Sequence, residues 1–248
     1  MDMSNPFERA VHPKQYDSDD LSWSKEAAAE SGRTQFYSEY LDPYLKTWKG
    51  KDFLDIGAGT GWLVQKAANE GAASALGIEP SQRNLEIAKN HHPGVEVVQC
   101  SFEDFDPEGK RFDEITAVMS FSHIADLRRA FQKLRSMLSE RGEVIIIVPD
   151  FQYCRMPRHG YTLNIQEMND DEYAVSVNRQ SGLIADIVRK TAVYEKTAAE
   201  VGLRLVEDKG MPPTEAQIAR SPRYAEVREY AISRLLRFLP QEMSNDVK

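Results

Sequence analysis

The chain reads as a doubly wound α/β domain around a mostly parallel sheet. Between residues 52 and 149, five short apolar runs alternate with stretches of helical period. Parallel neighbours need a crossover of about this length, and the crossover helices cover both faces of the sheet. The first run passes into its helix through a glycine-rich turn, the place where open α/β sheets bind ligands. With 248 residues, 41% hydrophobic and 28% charged, the chain can fill a core, and collagen-like, coiled-coil and wholly disordered architectures are excluded.

Residues 1–20 mix Pro, Asp, Ser and His without period, which predicts a surface arm that orders over a ligand. Residues 23–48 carry Ala, Glu and aromatic side chains at helical intervals, broken at Ser31-Gly32 and Pro43, and predict two short helices. The first strand is 52–56, the glycine loop 57–61 and the next helix 62–71. A second strand at 75–80 leads through Pro80-Ser81 into a helix at 81–92, and 95–100 and 113–120 are the third and fourth strands. The helix at 126–142 stops at Gly142, ahead of a fifth strand at 143–149.

Beyond Pro149 the rhythm breaks. Residues 151–171 are irregular, and the β-like runs 173–178 and 183–188 flank Gln180, Ser181 and Gly182, which predicts an inserted hairpin. A helix ending near Gly202, a strand from Arg204, and a terminal helix or helix plus strand at 222–239 complete the pattern. The expected plan is one domain over 1–248. It has a helical arm or lid at 1–50, a ligand-binding core at 51–150, a cap at 151–190 and a closing part at 191–248.

Lys and Arg total 31 against 39 Asp and Glu, a net charge of -8, so no global positive field draws the chain to nucleic acid or anionic lipid. The sequence shows neither a signal peptide nor an apolar run of about 18 residues, which sets the expectation of a cytoplasmic protein away from membranes. Cys100 and Cys154 lack the spacing of a disulfide framework or zinc cluster, and no metal site is predicted. His91-His92, before Pro93-Gly94, reads as a helix-end cap.

The informative stretch is Asp55-Ile56-Gly57-Ala58-Gly59-Thr60-Gly61-Trp62. It lacks the GxxxxGK signature of a P-loop. A dinucleotide loop reads GxGxxG, and counting from Gly57 its third small position falls on Trp62, too bulky for close packing of helix on strand. The carboxylate of Asp55 repels pyrophosphate but suits a ligand bearing an ammonium group. Glu79, ending the second strand, is placed to accept hydrogen bonds from ribose hydroxyls.

These residues resemble the class I S-adenosylmethionine-dependent methyltransferases. The family's first motif, an acidic residue followed by x-G-x-G-x-G, is matched at Asp55, Gly57, Gly59 and Gly61. The resemblance implies a Rossmann-like fold and S-adenosylmethionine as methyl donor, with S-adenosylhomocysteine as product. It implies donor-binding roles for Asp55, Gly57, Ala58, Gly59, Gly61, Glu79 and Pro80, and for Ser101, Phe102 and Glu103 in the adenine loop after the third strand. Met119 and Ser120 follow the fourth strand beside the donor. Many relatives carry Asp where Ser101 stands, which weakens or shifts the adenine contact. The resemblance covers residues 50–150 well and the flanks loosely.

His123, past the fourth strand, is the candidate base for deprotonating an acceptor; the competing reading is a structural histidine packed at a helix start near Asp126. Tyr153, His159 and Tyr161 are candidate acceptor contacts by analogy with relatives that build the acceptor pocket after the fifth strand, and Tyr16 is one from the N-terminal segment expected to close over the ligands. The expected activity is methyl transfer to an O, N or C nucleophile of a small molecule, such as a secondary metabolite. A tRNA or protein methyltransferase stays open, because Arg128, Arg129, Lys133 and Arg135 make a basic helix face. So does a donor-binding protein without catalysis.

Overall fold

The computed structural model describes residues 4–12, 15–17, 33–158, 160–179, 182–220 and 222–241. In chain order the helices are α1 (Pro6–Ala10), α2 (Arg33–Leu45), α3 (Trp62–Asn69), α4 (Gln82–His91), α5 (Leu127–Met137), α6 (Thr191–Ala199) and α7 (Glu215–Arg220). The strands are β1 (Asp52–Ile56), β2 (Ser74–Glu79), β3 (Glu96–Gln99), β4 (Phe112–Val118), β5 (Leu138–Pro149), β6 (Thr162–Asn169), β7 (Glu172–Arg179), β8 (Gly182–Arg189), β9 (Leu203–Met211) and β10 (Ser233–Pro240). Seven of them form one sheet in the order β3-β2-β1-β4-β5-β10-β9, and β6-β7-β8 form a second. In the large sheet β1 to β5 pair in parallel, and β10 runs antiparallel between β5 and β9.

Two apolar layers cover the large sheet. Phe131 and Leu134 of α5 and Tyr194 and Ala198 of α6 pack with Leu54, Ile115 and Ile146 on one face. Phe36, Leu41 and Leu45 of α2 and Leu63 and Val64 of α3 pack with Phe53, Ile145 and Ile147 on the other. The strands are buried on both faces, which is why they read as nearly continuous apolar runs. Because β1 lies between β2 and β4, the chain reverses direction across the sheet there, and the carboxyl ends of β1 and β4 flank the switch point.

Several boundaries differ from the sequence expectation. Helix α2 runs through Pro43 although proline gives up the backbone bond to the Glu39 carbonyl, because Phe36, Leu41 and Leu45 are anchored in the core. The other helix expected before the core falls largely outside the described residues. Helix α5 ends at Met137 and β5 begins at Leu138, paired with Phe112. Gly142 therefore lies inside the strand rather than stopping the helix; a Cβ there would stand 2.7 Å from Leu138 Cδ1 and 3.0 Å from the Asp113 carbonyl oxygen.

The inserted hairpin is a three-stranded sheet. Residues 162–169, expected to be irregular, pair antiparallel with β7, directing Leu163 and Ile165 toward the cluster of Phe151, Tyr173, Val175 and Val188. The polar residues of this edge strand hid its alternation. The arm contains a helix: Phe7 and Ala10 of α1 and the following Val11 pack on Ala185 and Ile187, covering the opposite face of the small sheet. At the C-terminal end the expected helix is a 3₁₀ turn at Pro222–Val227, followed by β10. Among the described residues no helix is long and apolar enough to cross a membrane.

Candidate active site

The loop after β1 turns sharply because its glycines hold left-handed backbone: φ is +71° at Gly57 and +56° at Gly59. Gly57 also has no room for a side chain, since a Cβ would lie 2.5 Å from Ser120 Cβ across the switch point. Ser120 is brought there by Met119, a non-glycine residue at φ +61°, and Ser120 Oγ donates to the Ile56 carbonyl at 2.6 Å. A left-handed methionine costs roughly 1–3 kcal/mol and belongs to a segment the surrounding fold constrains.

Two buried carboxylates face this loop. Glu79 Oε2 accepts from Gly59 N–H at 2.8 Å, and Oε1 accepts from Ser81 N–H at 2.9 Å and Asn84 Nδ2 at 3.2 Å. Burial raises its pKa, with these donors pulling it back and the nearby Asp17 carboxylate adding to the rise. Asp55 accepts from Thr116 Oγ1 at 2.7 Å. Burial pushes Asp55 up to about 7, with Thr116 opposing and Glu79 contributing.

A cavity of about 540 Å³ opens from this loop. Asp55, Gly57, Ala58, Gly59, Thr60, Glu79, Pro80, Ser101, Phe102, Glu103, Met119 and Ser120 all line it. Gly61 does not: it caps α3 at φ +79° with Val95, Val97 and Ala88 behind it. Ser101 Oγ donates to Asp104 Oδ2 at 2.8 Å and fixes the loop turn. Phe102 is buried against Phe121. Lys133 Nζ lies 5.4 Å from the centre of the Phe102 ring and donates to the Glu103 carbonyl at 2.9 Å. Part of the basic face on α5 is thus engaged in shaping this wall, and Arg128 lies 3.5 Å from Glu200.

The same cavity reaches His123, Tyr16, Tyr153 and Tyr161; His159 lies outside the described residues. Asp126 caps α5 by accepting from Arg129 N–H at 2.9 Å, while His123 bonds to the N-terminal arm. The N-terminal arm and the small sheet surround its ring. His123 Nδ1 stands 3.1 Å from both the Ala10 carbonyl oxygen and Gln15 Nε2, and Nε2 meets the Tyr16 hydroxyl; in the tautomer that donates Nδ1–H to Ala10, Nε2 offers its lone pair to Tyr16. Asp186 Oδ1 lies 3.8 Å from Nε2 and accepts from Ser122 Oγ at 2.8 Å. Burial lowers the His123 pKa, opposed by Asp186 and the Ala10 bond, which favours the neutral ring.

Sequence reasoning missed Asp186, Gln15, Arg158 and Gln217 on this cavity. Only Asp186 left a signal, a carboxylate inside the apolar run LIADIV that alternation sets on the face of Ile184 and Val188. Gln15 is buried, donating to the Ala10 carbonyl at 2.9 Å and accepting from Ala185 N–H at 3.2 Å. Arg189 ties the small sheet to the His123 segment, with Nε 2.7 Å from Glu172 Oε1 and Nη2 2.9 Å from the Ile124 carbonyl.

A sheet with this switch point, and a glycine loop facing two buried carboxylates, define an α/β protein that binds its ligand at the strand ends. The chain matches the methyltransferase domain family over residues 29–179, more than half its length, and belongs to that family. Over 106 residues it is 32% identical to a ubiquinone biosynthesis O-methyltransferase from Azorhizobium caulinodans, a match spanning 41% of this chain and 42% of that one. Over 113 residues it is 30% identical to an uncharacterized methyltransferase from Oceanobacillus iheyensis, spanning 45% and 52% respectively. The chain thus spans about half or less of the length of these curated relatives.

The fold is shared with an S-adenosylmethionine dependent methyltransferase from Mesorhizobium loti, at TM-score 0.62 and 19% identity over 79% of this chain and 95% of that one. It is also shared with a protein from Pyrococcus horikoshii, at TM-score 0.66 and 18% identity over 94% and 98%.

Proposed function

We propose that this chain transfers a methyl group from S-adenosylmethionine to a nucleophilic O, N or C atom of a small molecule. The observation that carries this reading is one continuous cavity joining the loop of Asp55, Gly57 and Gly59 to the His123 and Tyr16 pair. Its volume and its wall from the N-terminal arm suit a small acceptor better than a polymer.

The residues fit the donor. Asp55 is buried with only a neutral hydrogen-bond partner among the described residues, a setting that favours a cationic ligand group. Thr60 Oγ1, also on this cavity, is buried without a hydrogen-bond partner among the described residues. Glu79 keeps acceptor capacity on each oxygen for ribose hydroxyls, and Phe102 presents an apolar ring for a base. When bound, S-adenosylmethionine supplies an already activated methyl on a positively charged sulfur. The chain is left to align the reactants and exclude water.

For an acceptor hydroxyl, His123 Nε2 takes a proton, directly or through the Tyr16 oxygen, and Asp186 stabilises the resulting imidazolium. The N-terminal arm and residues 151–190 close over the ligands in this reading. Melting curves with S-adenosylhomocysteine and with NAD, alongside mass spectrometry of any co-purifying ligand, test it. The expected result is stabilisation by S-adenosylhomocysteine, and stabilisation by NAD alone overturns the donor assignment.

A further inference from the structure

At the acceptor end the cavity wall holds a cation that meets no anion among the described residues. The Arg158 guanidinium carbon lies 4.4 Å from the centre of the Tyr153 ring and 5.0 Å from that of Tyr161. Contact with the rings occupies the faces of the guanidinium, and one of its N–H groups bonds to the Tyr153 hydroxyl, which leaves the others for a ligand. Arg158 Nε is buried and makes no hydrogen bond, and no carboxylate among the described residues forms an ion pair with it. Other arginines are engaged: Arg155 meets Glu167 at 3.0 Å, Arg189 meets Glu172 at 2.7 Å, and Arg234 meets Asp208 at 2.7 Å.

The carboxylates on the cavity are already engaged elsewhere, buried Asp55 by Thr116, buried Glu79 by the loop amides and half-buried Asp186 by Ser122. A second unmet group lines the cavity as well. Gln217 is buried, and its Oε1 has no hydrogen-bond partner among the described residues. Buried polar atoms are nearly always satisfied, so two such atoms lining the cavity, besides Thr60 Oγ1 at its loop end, call for an occupant that answers both.

We propose that Arg158 anchors a carboxylate carried by the methyl acceptor, and that Gln217 accepts a hydroxyl or N–H of the same molecule. The proposal rests on the methyl-transfer reading and narrows the acceptor to a small organic acid. Arg158 meets the carboxylate through Nε–H and a neighbouring N–H, the paired geometry a guanidinium offers and an ammonium does not. Tyr153 and Tyr161 line the adjoining wall. With the cationic donor held at Asp55 and the anionic acceptor at Arg158, the two reactants also attract each other across the cavity.

The test is calorimetric titration of protein saturated with S-adenosylhomocysteine, using benzoate, salicylate, 3,4-dihydroxybenzoate and succinate, each against its methyl ester. At least one acid binds about tenfold or more tightly than its ester, as a charge-assisted pair requires. R158Q reduces that preference to within about twofold, R158K keeps part of it, and both variants bind S-adenosylhomocysteine as the wild type does. Equal binding of acid and ester overturns the proposal, as does a full preference in R158Q or no binding of any acid to the loaded protein. Failure of S-adenosylhomocysteine to bind at all overturns the methyl-transfer reading, and this proposal with it.

Discussion

The two ends of the cavity are built in different ways. At the loop end, Gly57, Gly59 and Glu79 are fixed by backbone: strand ends, left-handed glycines and amide donors on a carboxylate. At the other end, His123, Tyr16, Asp186 and Gln15 are fixed by side chains reaching across the chain, with Gln15 bonded 170 residues away to Ala185. One end is a rigid socket encoded in a few consecutive residues. The other is an assembly of the arm, the small sheet and the 3₁₀ turn at Phe121–His123, and it is the end that a family can vary without disturbing its fold.

Substitutions should separate the two ends. The largest effect is expected from Gly57→Ala, which adds a Cβ 2.5 Å from Ser120 Cβ at a φ that disfavours it. Overpacking and strain together cost about 2–4 kcal/mol, lowering the melting temperature and weakening S-adenosylhomocysteine about 100-fold. Adding Ser120→Gly should recover part of both. Unchanged melting and binding in Gly57→Ala would mean that the socket is not rigid.

The next effect in size belongs to the acceptor end. His123→Ala and Tyr16→Phe should lower kcat roughly 100-fold for a hydroxyl acceptor while leaving KM for the donor within about twofold, measured in steady state. A parallel loss of donor binding would show that the two ends are coupled.

Donor affinity should also depend on pH. Asp55 is raised to about 7, so the free protein binds a proton there that a cationic ligand must displace. Affinity for S-adenosylhomocysteine, whose amino group is cationic, is full above about pH 7 and falls as pH drops through 7, by up to about tenfold per unit. Asp55→Asn should bind more weakly and flatten this profile.

Gln15→Ala should have the smallest effect. It removes one hydrogen bond within the arm and one between the arm and the small sheet, costs about 1–2 kcal/mol, and raises acceptor KM severalfold with donor affinity unchanged.

The same contrast explains what the sequence made legible. The run from Asp55 to Gly61 and the position of Glu79 announced the socket, because its geometry follows from glycine conformations and strand ends within a short span. The five parallel strands were legible for the same local reason, although β5 begins earlier than Gly142 suggested, because Leu138 already pairs with Phe112. The third strand of the small sheet was hidden by the polar residues of its edge, and α1 by its short length. Arg158 and Gln217 sit in segments without periodicity, and only the fold brings them to the cavity.

The most direct test is calorimetric titration of S-adenosylhomocysteine into wild type, Glu79→Ala and His123→Ala. Glu79→Ala should lose affinity by about tenfold or more, because it removes the acceptor for ribose and for Gly59 N–H, while His123→Ala stays within about twofold of wild type. Wild-type affinity in Glu79→Ala, or an equal loss in His123→Ala, would contradict a donor socket built by the loop and separate from the acceptor end.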